Sequence, residues 1–557
     1  MSPAEEPAGE AGPESARGAD LVGRHGRLVR RTALVSGLTL GSRILGYVRE
    51  MLSAALFGDR SGIYDAFITA WRVPNLFRRL LGEGAISTSF QTALTEVDGN
   101  HGEEAGRRLF LDTARMLVGI LVAVAVVVMA LVGLAPDVMP GTGWHWLGRD
   151  PGAVRELTLR LAPFVIFICA SAFVGGALQV RGHFSAPAWA PASLNLVWIS
   201  VLIGIGLHFG WSVSPDDQGV HMEMSRWLSW GVLVAGVVQL AVQVPALIRM
   251  GLLRRGPRPA RAADGPGAGT VLRRAVPLAL GAAIYQINVM VDGLMAESLL
   301  PDGGPTLHYF ANRVQQFPLA LVAIAATSAV FPLLQAHGHK GDRGALRTLH
   351  DTTHRGIAFV ALPASLGLFA LADPVIAVSF QHGAFGAEGV ERAGAALRWL
   401  ALALIPAGAT GLVARTYYSL GDFVTPVRIS VVMLLANIGL NLVAILALGL
   451  DVDGLSMATA LTSWGTLLVM LPGLRTKLGL PAPIAGLPAA FARMMAAALI
   501  SGAAAWLAWR GVSGGEASSL AGLMAGIVAG IGVYAPLAWS LGLEEARRTW
   551  ARVRRSG

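Results

Sequence analysis

Long apolar runs without a single charged residue recur along the chain, and this pattern constrains the fold most strongly. Each of the five purest runs is at least as long as the roughly 20 residues with which a helix crosses about 30 Å of hydrocarbon. Only 14% of the 557 residues are charged, whereas a soluble globular protein has about 25%. The sequence therefore predicts an all-α polytopic membrane protein and excludes a soluble enzyme. The five runs are 116–136, 228–248, 429–450, 454–474 and 517–543.

Less pure apolar segments between these runs complete a set of fourteen predicted transmembrane helices. Residues 1–31 are rich in Pro, Gly, Glu and Ala and then basic, which is typical of a disordered cytoplasmic tail. A second basic cytoplasmic tail is predicted at 544–557. The predicted helices lie near 32–57, 64–95, 112–135, 156–180, 186–209, 224–249, 272–298, 306–335, 354–380, 388–418, 424–448, 454–474, 487–509 and 517–543.

Basic residues are distributed unevenly between the two sides of the predicted bundle. With the N-terminus inside, the inner loops and the two tails beyond the predicted helices hold 22 Lys and Arg residues and the outer loops hold 4, as the positive-inside rule requires. The most basic inner loop is 250–271, with Arg254, Arg255, Arg258 and Arg261. The net charge of +9 is therefore a topology signal and does not indicate nucleic-acid binding. Both termini are predicted to be cytoplasmic.

Short sequence patterns recur at a nearly constant spacing in the two halves of the chain. The pattern at 70–90 recurs at 311–331 with an offset of 241, and the pattern at 182–187 recurs at 421–426 with an offset of 239. A third pattern, Leu-x-Leu-Gly, recurs with an offset of 240. Three nearly equal offsets indicate an internal duplication.

This duplication predicts two pseudo-symmetric lobes of six helices each, at 32–249 and 272–474. An even number of helices per repeat leaves the two copies parallel, related by an axis along the membrane normal, which is a known transporter plan. The last two helices, within 475–543, lie outside the repeat.

The first two predicted helices carry charged residues at membrane depth, where each charge is costly unless it meets water or a partner. Arg43 and Arg49 are about 240° apart around a helix, so they do not share one narrow stripe, although their long side chains can converge on a cavity. Arg78 belongs to the same charged set, and some of its members could instead snorkel to the interfaces. The second half keeps Arg313 at the position of Arg72, but its first helix has no arginine.

Arginines that face a central cavity suit a phosphate or pyrophosphate substrate, because the guanidinium fork matches phosphate oxygens and stays charged. The chain has no Gly-x-x-x-x-Gly-Lys-Ser/Thr loop and no His-Glu-x-x-His motif. Cys169 is the single cysteine, which excludes a disulfide and a cysteine-built metal site. These features favour a transporter over an enzyme or an ATPase.

The second half has a polar set of its own. Asp292 lies inside the seventh predicted helix, and Asn437 and Asn441 share one face of the eleventh at an i, i+4 spacing. A carboxylate with amide oxygens could hold Na⁺ or a proton as a coupling ion. Hydrogen bonding between helices is an equally good interpretation of the two asparagines.

Several motifs follow one another in the order found in a known family. They are Ser-Arg-Ile-Leu-Gly-Tyr-Val-Arg-Glu at 42–50, Asp-Ala-Phe at 65–67, Pro-Asn-Leu-Phe-Arg-Arg at 74–79 and Glu-Gly-Ala at 83–85, with further matches at 309–313, 317–318, 380–383, 417–419, 422 and 425–426. The chain resembles, over roughly 32–550, the MurJ (MviN) lipid II flippases of the multidrug/oligosaccharidyl-lipid/polysaccharide exporter superfamily.

The resemblance implies fourteen helices, two six-helix lobes and a cationic central cavity. It implies that the substrate is lipid II, the undecaprenyl-pyrophosphoryl disaccharide-pentapeptide, moved to the outer leaflet of the bacterial cytoplasmic membrane for peptidoglycan synthesis. We expect a monomer whose partners are lipid II, membrane lipids and cell-wall synthesis proteins, with no cofactor other than a coupling ion, Na⁺ or H⁺.

The functional arginines of the family correspond to Arg43, Arg49, Arg78 and Arg313, and we place three further motif residues in the same substrate site. The family's cation site corresponds to Asp292, Asn437 and Asn441. Three positions depart from the common family pattern, which has a carboxylate at or near Asn441 in some relatives and Asp at the other two. The further substrate-site residues are Asp65, Asn75 and Glu83, and the departures are Glu50, Asn312 and Asn441.

Alternating access is the mechanism that these features predict, with the guanidinium groups of the first, second and eighth helices lining one water-filled pocket. A flippase for another polyprenyl-linked oligosaccharide would need the same arginines, so the sequence leaves this alternative open. A cation-coupled drug antiporter of the same superfamily would need a cavity of carboxylates and aromatic residues. A membrane scaffold without transport would leave the buried charges unexplained.

Overall fold

The computed structural model describes residues 13–82, 85–136, 148–254, 265–476, 479–483 and 485–547, with side chains described outside 13–34, 82, 85, 277–285 and 321–329. Within these ranges the chain consists of helices and short connections, with no β-strand. Glu83 of the predicted substrate site lies outside the described residues. The predicted all-α class is thus confirmed for the part of the chain that can be compared.

The described residues of the first half of the chain form nine α-helices. The first of them begins at Pro13, so residues that the sequence predicts as a disordered tail continue the first membrane helix toward the N-terminus. Side-chain caps start several others: Asp150 accepts a hydrogen bond from the amide of Ala153 (2.8 Å), and Asp217 accepts one from Val220 (3.1 Å). The helices are α1 Pro13–Phe57, α2 Gly62–Phe77, α3 Ala85–His101, α4 Glu103–Leu134, α5 Pro151–Leu161, α6 Phe164–Val180, α7 Ser185–Phe209, α8 Gln218–Ala241 and α9 Val244–Arg249.

The second half follows the same order of long helices, and a helical pair follows it at the C-terminal end. A short π-helix, Val443–Ala447, extends the fifteenth helix by one turn. The helices are α10 Ala268–Leu299, α11 Gly304–His339, α12 Arg343–Ala370, α13 Ala372–Phe380, α14 Ala387–Ser419, α15 Val424–Leu442, α16 Val452–Thr476, α17 Leu487–Ser513 and α18 Leu520–Ser540.

Four of the predicted membrane segments are broken rather than continuous. The segment predicted at 64–95 divides into α2, a π-helix over Arg78–Gly82, and α3. Pro74 lies just before the π-helix and has no N–H to donate within the helix, which favours such a defect. Breaks also separate α5 from α6 and α8 from α9, and α12 meets α13 at an angle of 71°.

Many of the described helices are suited to a bilayer. Nine are long and apolar enough to span it, and the bent pair α12–α13 would make a tenth. The charges of α1 exclude that helix from this set. On α4, Val118, Val122 and Val126 are exposed, as side chains that face lipid must be. The protein is therefore a polytopic helical membrane protein.

The two halves meet at the end of the bundle where residues 58–61 connect α1 to α2, here called the α1–α2 end. The amide of Ala384 donates to the carbonyl oxygen of Ala55 across the halves (2.9 Å). Asp65 accepts a hydrogen bond from the amide of Thr306 (3.0 Å), and these two residues are 241 positions apart, which is the repeat offset. Contact between equivalent positions is expected where a two-fold pseudo-symmetry axis passes between the repeats.

Candidate functional site

Arg49 is buried on α1, where the first half supplies most of its surroundings. One Nη donates to Oδ1 of Asn195 on α7 (3.1 Å), and the other pairs with Glu50. The guanidinium carbon lies 4.3 Å from the centroid of the Trp198 ring, a cation–π distance. A buried charge needs this density of partners, since desolvation otherwise costs several kcal/mol.

Asn195 holds α1 and α7 in register at this point. Its Oδ1 accepts from Arg49, and its Nδ2 donates to the carbonyl oxygen of Ser42 (3.0 Å). Gly46 allows the close approach: a Cβ there would lie 3.5 Å from Nδ2 of Asn195 and 3.7 Å from an Nη of Arg313. A longer side chain at this position would therefore push α7 and α11 away from α1.

Glu50 connects this arrangement to the second half. The hydroxyl of Tyr309 on α11 donates to its Oε1 (2.9 Å), and Nε of Arg313 lies 3.6 Å from the same oxygen. The side chain of Glu50 is 3% exposed, whereas that of Arg313 is 32% exposed. We call Arg49, Glu50, Asn195, Tyr309 and Arg313 the arginine–glutamate cluster. It joins α1, α7 and α11 and carries two positive charges and one negative charge.

The cluster brings together two of the four predicted arginines. Arg43, which the sequence also places in the substrate site, is exposed on α1, about 240° around the helix from Arg49. Arg78 opens the π-helix and donates from Nε (3.1 Å) and an Nη (2.8 Å) to Oδ1 of Asn75, also a predicted site residue. The structure therefore pairs Arg78 with Asn75 within one helical segment and pairs Arg49 with Arg313 across the halves.

Asp65, which the sequence places in the substrate site, caps α11 in the structure. Its oxygens accept hydrogen bonds from the amides of Gly303 (2.6 Å) and Thr306 (3.0 Å) and from the Thr306 hydroxyl. Gly303, at the N-cap position of α11, has no side chain with which to cap that helix. Asp65 supplies the missing acceptor from the other half, and its negative charge is favourable at a helix N-terminus.

The three residues predicted as a cation site come together. Asn441 Nδ2 donates to Oδ1 of Asp292 (2.8 Å) and to Oδ1 of Asn437 (3.2 Å). Asn288 donates to the second oxygen of Asp292 (3.1 Å). The bond from Asn441 on α15 to Asp292 on α10 is a hydrogen bond between helices, which is the alternative that the sequence analysis gave to a cation site. Oδ1 of Asn441 is buried without a hydrogen-bond partner among the described residues, which leaves one oxygen available to a cation.

Arg72, the residue equivalent to Arg313 in the repeat, also contacts the opposite half of the protein. Its equivalence to Arg313 could have indicated this contact. It lies on α2, donates to the carbonyl oxygen of Val289 on α10 (3.3 Å) and lies over Gly293. Arg72 thus reaches from the second helix of the first half to the first helix of the second half. Arg313 makes the opposite crossing, from α11 to Glu50 on α1.

Sequence reasoning missed Asn195, Trp198 and the bridging position of Glu50. The signal for Asn195 was present, since an amide within the apolar segment 186–209 needs a buried partner. The partner of Asn195 depends on how α1 packs against α7, and the sequence of neither helix alone predicts that packing.

The fold and the site define a class: a polytopic membrane transporter with a cationic interior cluster. The sequence model of the family described as lipid II flippase MurJ matches residues 53–521. The chain belongs to the lipid II flippase MurJ family. The several membrane spans and the relatives of this bacterial family make it an inner-membrane protein.

Named relatives and solved structures agree with this assignment. The lipid II flippase MurJ of Burkholderia cenocepacia is 30% identical over 529 residues, which is 93% of this chain and 98% of the relative. The probable lipid II flippase MurJ of Vibrio cholerae is 32% identical over 80% of this chain and 83% of its own length. A lipid II flippase MurJ solved in an inward closed conformation has a TM-score of 0.70 at 20% identity, covering 91% of this chain and 98% of that one. An inward-facing multidrug resistance MATE family transporter has a TM-score of 0.57 at 14% identity, over 80% and 94% of the two chains. The two structural likenesses show a shared fold.

Proposed function

We propose that the protein moves lipid II, the undecaprenyl-pyrophosphate-linked peptidoglycan precursor, from the inner to the outer leaflet of the cytoplasmic membrane. The observation that carries this proposal is the arginine–glutamate cluster, which places Arg49 and Arg313 of opposite halves around one carboxylate. Two guanidinium forks at one point suit the two phosphates of a pyrophosphate. Family membership supports the same substrate.

The architecture of the proposal has fourteen spans, two six-helix lobes (32–249 and 272–474) and the added pair α17–α18. Both termini are cytoplasmic in this arrangement, because inner segments are rich in arginine. The α1–α2 end then faces outward, and the contacts of Ala384 with Ala55 and of Thr306 with Asp65 close it. These contacts support a state that is closed to the outside.

Alternating access follows from this closure. The pyrophosphate headgroup enters from the inner leaflet and pairs with the arginines, while the lipid tail stays in the bilayer. The lobes then part at the α1–α2 end and release the headgroup outward. An inside-negative potential opposes the return of an anion by about 2.3 kcal/mol per charge per 100 mV, so it favours export.

Translocation by purified protein in liposomes tests the function. Lipid II, a different undecaprenyl-pyrophosphate oligosaccharide and a cationic drug are supplied in separate vesicles, and arrival at the opposite leaflet or lumen is measured. We expect lipid II alone to move at a rate well above protein-free vesicles. If the other lipid moves and lipid II does not, the protein is a flippase for another polyprenyl-linked oligosaccharide. If the drug moves and lipid II does not, it is a drug antiporter.

A monovalent cation, Na⁺ or H⁺, is the proposed coupling ion, held near Asp292, Asn437 and Asn441. Both ions suit a buried carboxylate beside amide oxygens. We predict that Asp292→Asn removes the acceleration of flipping by an ion gradient, because the only carboxylate of the site is lost. Imposing Na⁺ and pH gradients separately on proteoliposomes identifies the ion, and a variant that responds to both gradients as wild type does would contradict the proposal.

A further inference from the structure

Glu50 occupies the place that an anionic headgroup would need. Its Oε1 accepts from the Tyr309 hydroxyl (2.9 Å), pairs with Arg49 and lies 3.6 Å from Nε of Arg313. Three groups from two halves of the protein therefore converge on a single carboxylate oxygen. The two guanidinium groups, of Arg49 and Arg313, are equally suited to phosphate oxygens.

The Arg49 guanidinium is enclosed by the protein on most sides. One Nη is used by Asn195, the ring face of Trp198 covers the guanidinium, and Nε is buried with no partner among the described residues. Glu50 holds the second Nη. A headgroup can use Arg49 fully only where this carboxylate yields.

We propose that Glu50 is an internal competitor of the substrate, a carboxylate that holds Arg49 and Arg313 until a diphosphate replaces it. The inference rests on the proposed function in taking a diphosphate as the ligand. Such a group carries more negative charge than one carboxylate and binds a guanidinium through two oxygens, so it is the stronger partner. The side chain of Arg313, 32% exposed, meets the headgroup first, and that of Arg49, 7% exposed, is uncovered as Glu50 leaves.

The exchange links binding to movement of the lobes. Glu50 is joined to α11 through Tyr309 and Arg313, which lie 259 and 263 positions further along the chain. When the diphosphate takes Arg313, the ion pair that Glu50 makes between α1 and α11 is lost. Substrate binding then weakens a contact between the halves, and Glu50 restores the contact after the headgroup leaves.

Binding of inorganic pyrophosphate to the purified full-length protein tests the proposal. The deciding result is whether the affinity rises or falls when Glu50 is replaced. Glu50→Gln removes the competing charge and keeps the shape of the side chain, so we expect binding about tenfold tighter than wild type, since like charges near a bound anion are strongly unfavourable. Glu516→Gln is the matched control, because it removes an exposed carboxylate in the connection between α17 and α18. Its affinity should equal that of wild type.

Tyr309→Phe gives a second measurement that does not change any charge. It removes the hydroxyl that holds Glu50, and we expect pyrophosphate binding about two- to threefold tighter, in proportion to the loss of one hydrogen bond. Unchanged or weaker binding in Glu50→Gln, or in Tyr309→Phe where the first variant does not fold, would overturn the competitor role. Arg313→Ala tests the pyrophosphate site separately from the competitor role of Glu50. An affinity for pyrophosphate equal to that of wild type in this variant would refute the site itself.

Discussion

Asn195 shows how one amide can set the geometry of a charged site. It fixes Arg49 through Oδ1 and the backbone of α1 through Nδ2, so both ends of the side chain are used. The charge of Arg49 is buried, so its guanidinium is stable only where it meets such partners. The polar side chain on α7 is therefore a positioning residue for the arginine on α1.

Replacement of Asn195 by leucine should lower both stability and transport. The change keeps the volume but leaves Arg49 with one partner fewer, and an unsatisfied buried donor costs about 1–3 kcal/mol. We expect a lower Tm and a several-fold slower translocation of lipid II. Ser200→Ala on the same helix is the control, since Ser200 is exposed and bonds only within α7. Equal Tm values for Asn195→Leu and wild type would contradict the positioning role.

Individual arginines could be identified from the sequence, but their partners could not. Charges at membrane depth point to Arg49 together with Arg43 and Arg78, because such residues are expensive unless functional, and the repeat adds Arg313. The sequence does not show that Glu50 bridges Arg49 and Arg313, since the bridge forms only when α11 packs beside α1. The same holds for Asp65, whose motif resembles a substrate site and whose carboxylate caps a helix in the other half.

Helix α11 depends on a cap that its own sequence does not provide. Gly303 precedes it, and the acceptor comes from Asp65 on α2. The ends of helices in this protein are thus also contacts between its halves. A change at such a cap affects the stability of one helix and the closure of the α1–α2 end together.

Asp65→Ala should destabilise the protein by about 2 kcal/mol, at the upper end of the range for loss of an N-cap. Asp217→Ala removes a cap that serves its own helix α8 alone, and we expect about 1 kcal/mol there. Chemical denaturation in detergent measures both. Only Asp65→Ala should also make residues of the α1–α2 end accessible to a water-soluble reagent, and equal accessibility in the two variants would contradict a closing role for Asp65.

Helix positions were largely predictable, and helix breaks were not. Apolar periodicity and length locate the long segments, because the bilayer sets a minimum of about 20 residues. The π-helix after Pro74 and the 71° bend between α12 and α13 arise from local loss of hydrogen bonds and from packing. The segment predicted at 64–95 is helical wherever it is described, and a π-helix over Arg78–Gly82 interrupts its α-helical geometry.

At the scale of the whole molecule, pseudo-symmetry organises the contacts between halves. Arg72 and Arg313 make reciprocal crossings, and Asp65 meets the residue equivalent to itself. The repeat in the sequence predicted the duplication but not which equivalent positions touch.

A reversible cross-link at the α1–α2 end should stop transport. Ala55 and Ala384 are joined by a backbone hydrogen bond of 2.9 Å, which brings their Cα atoms within the range of a disulfide. Cys169 is buried, so background labelling is low. We expect Ala55→Cys with Ala384→Cys to lose lipid II translocation on oxidation and regain it on reduction, with each single variant unaffected. Full activity of the oxidised double variant would show that this end does not open.

Translocation of lipid II by Arg49→Ala and Arg313→Ala protein in liposomes tests the central claim most directly. The account predicts a loss of at least about tenfold in each, because a charge-assisted bond to the headgroup contributes about 1.5–3 kcal/mol. Arg510→Ala, an exposed arginine of α17, should transport as wild type does. Wild-type rates in both cluster variants, with the protein folded and correctly inserted, would contradict the account.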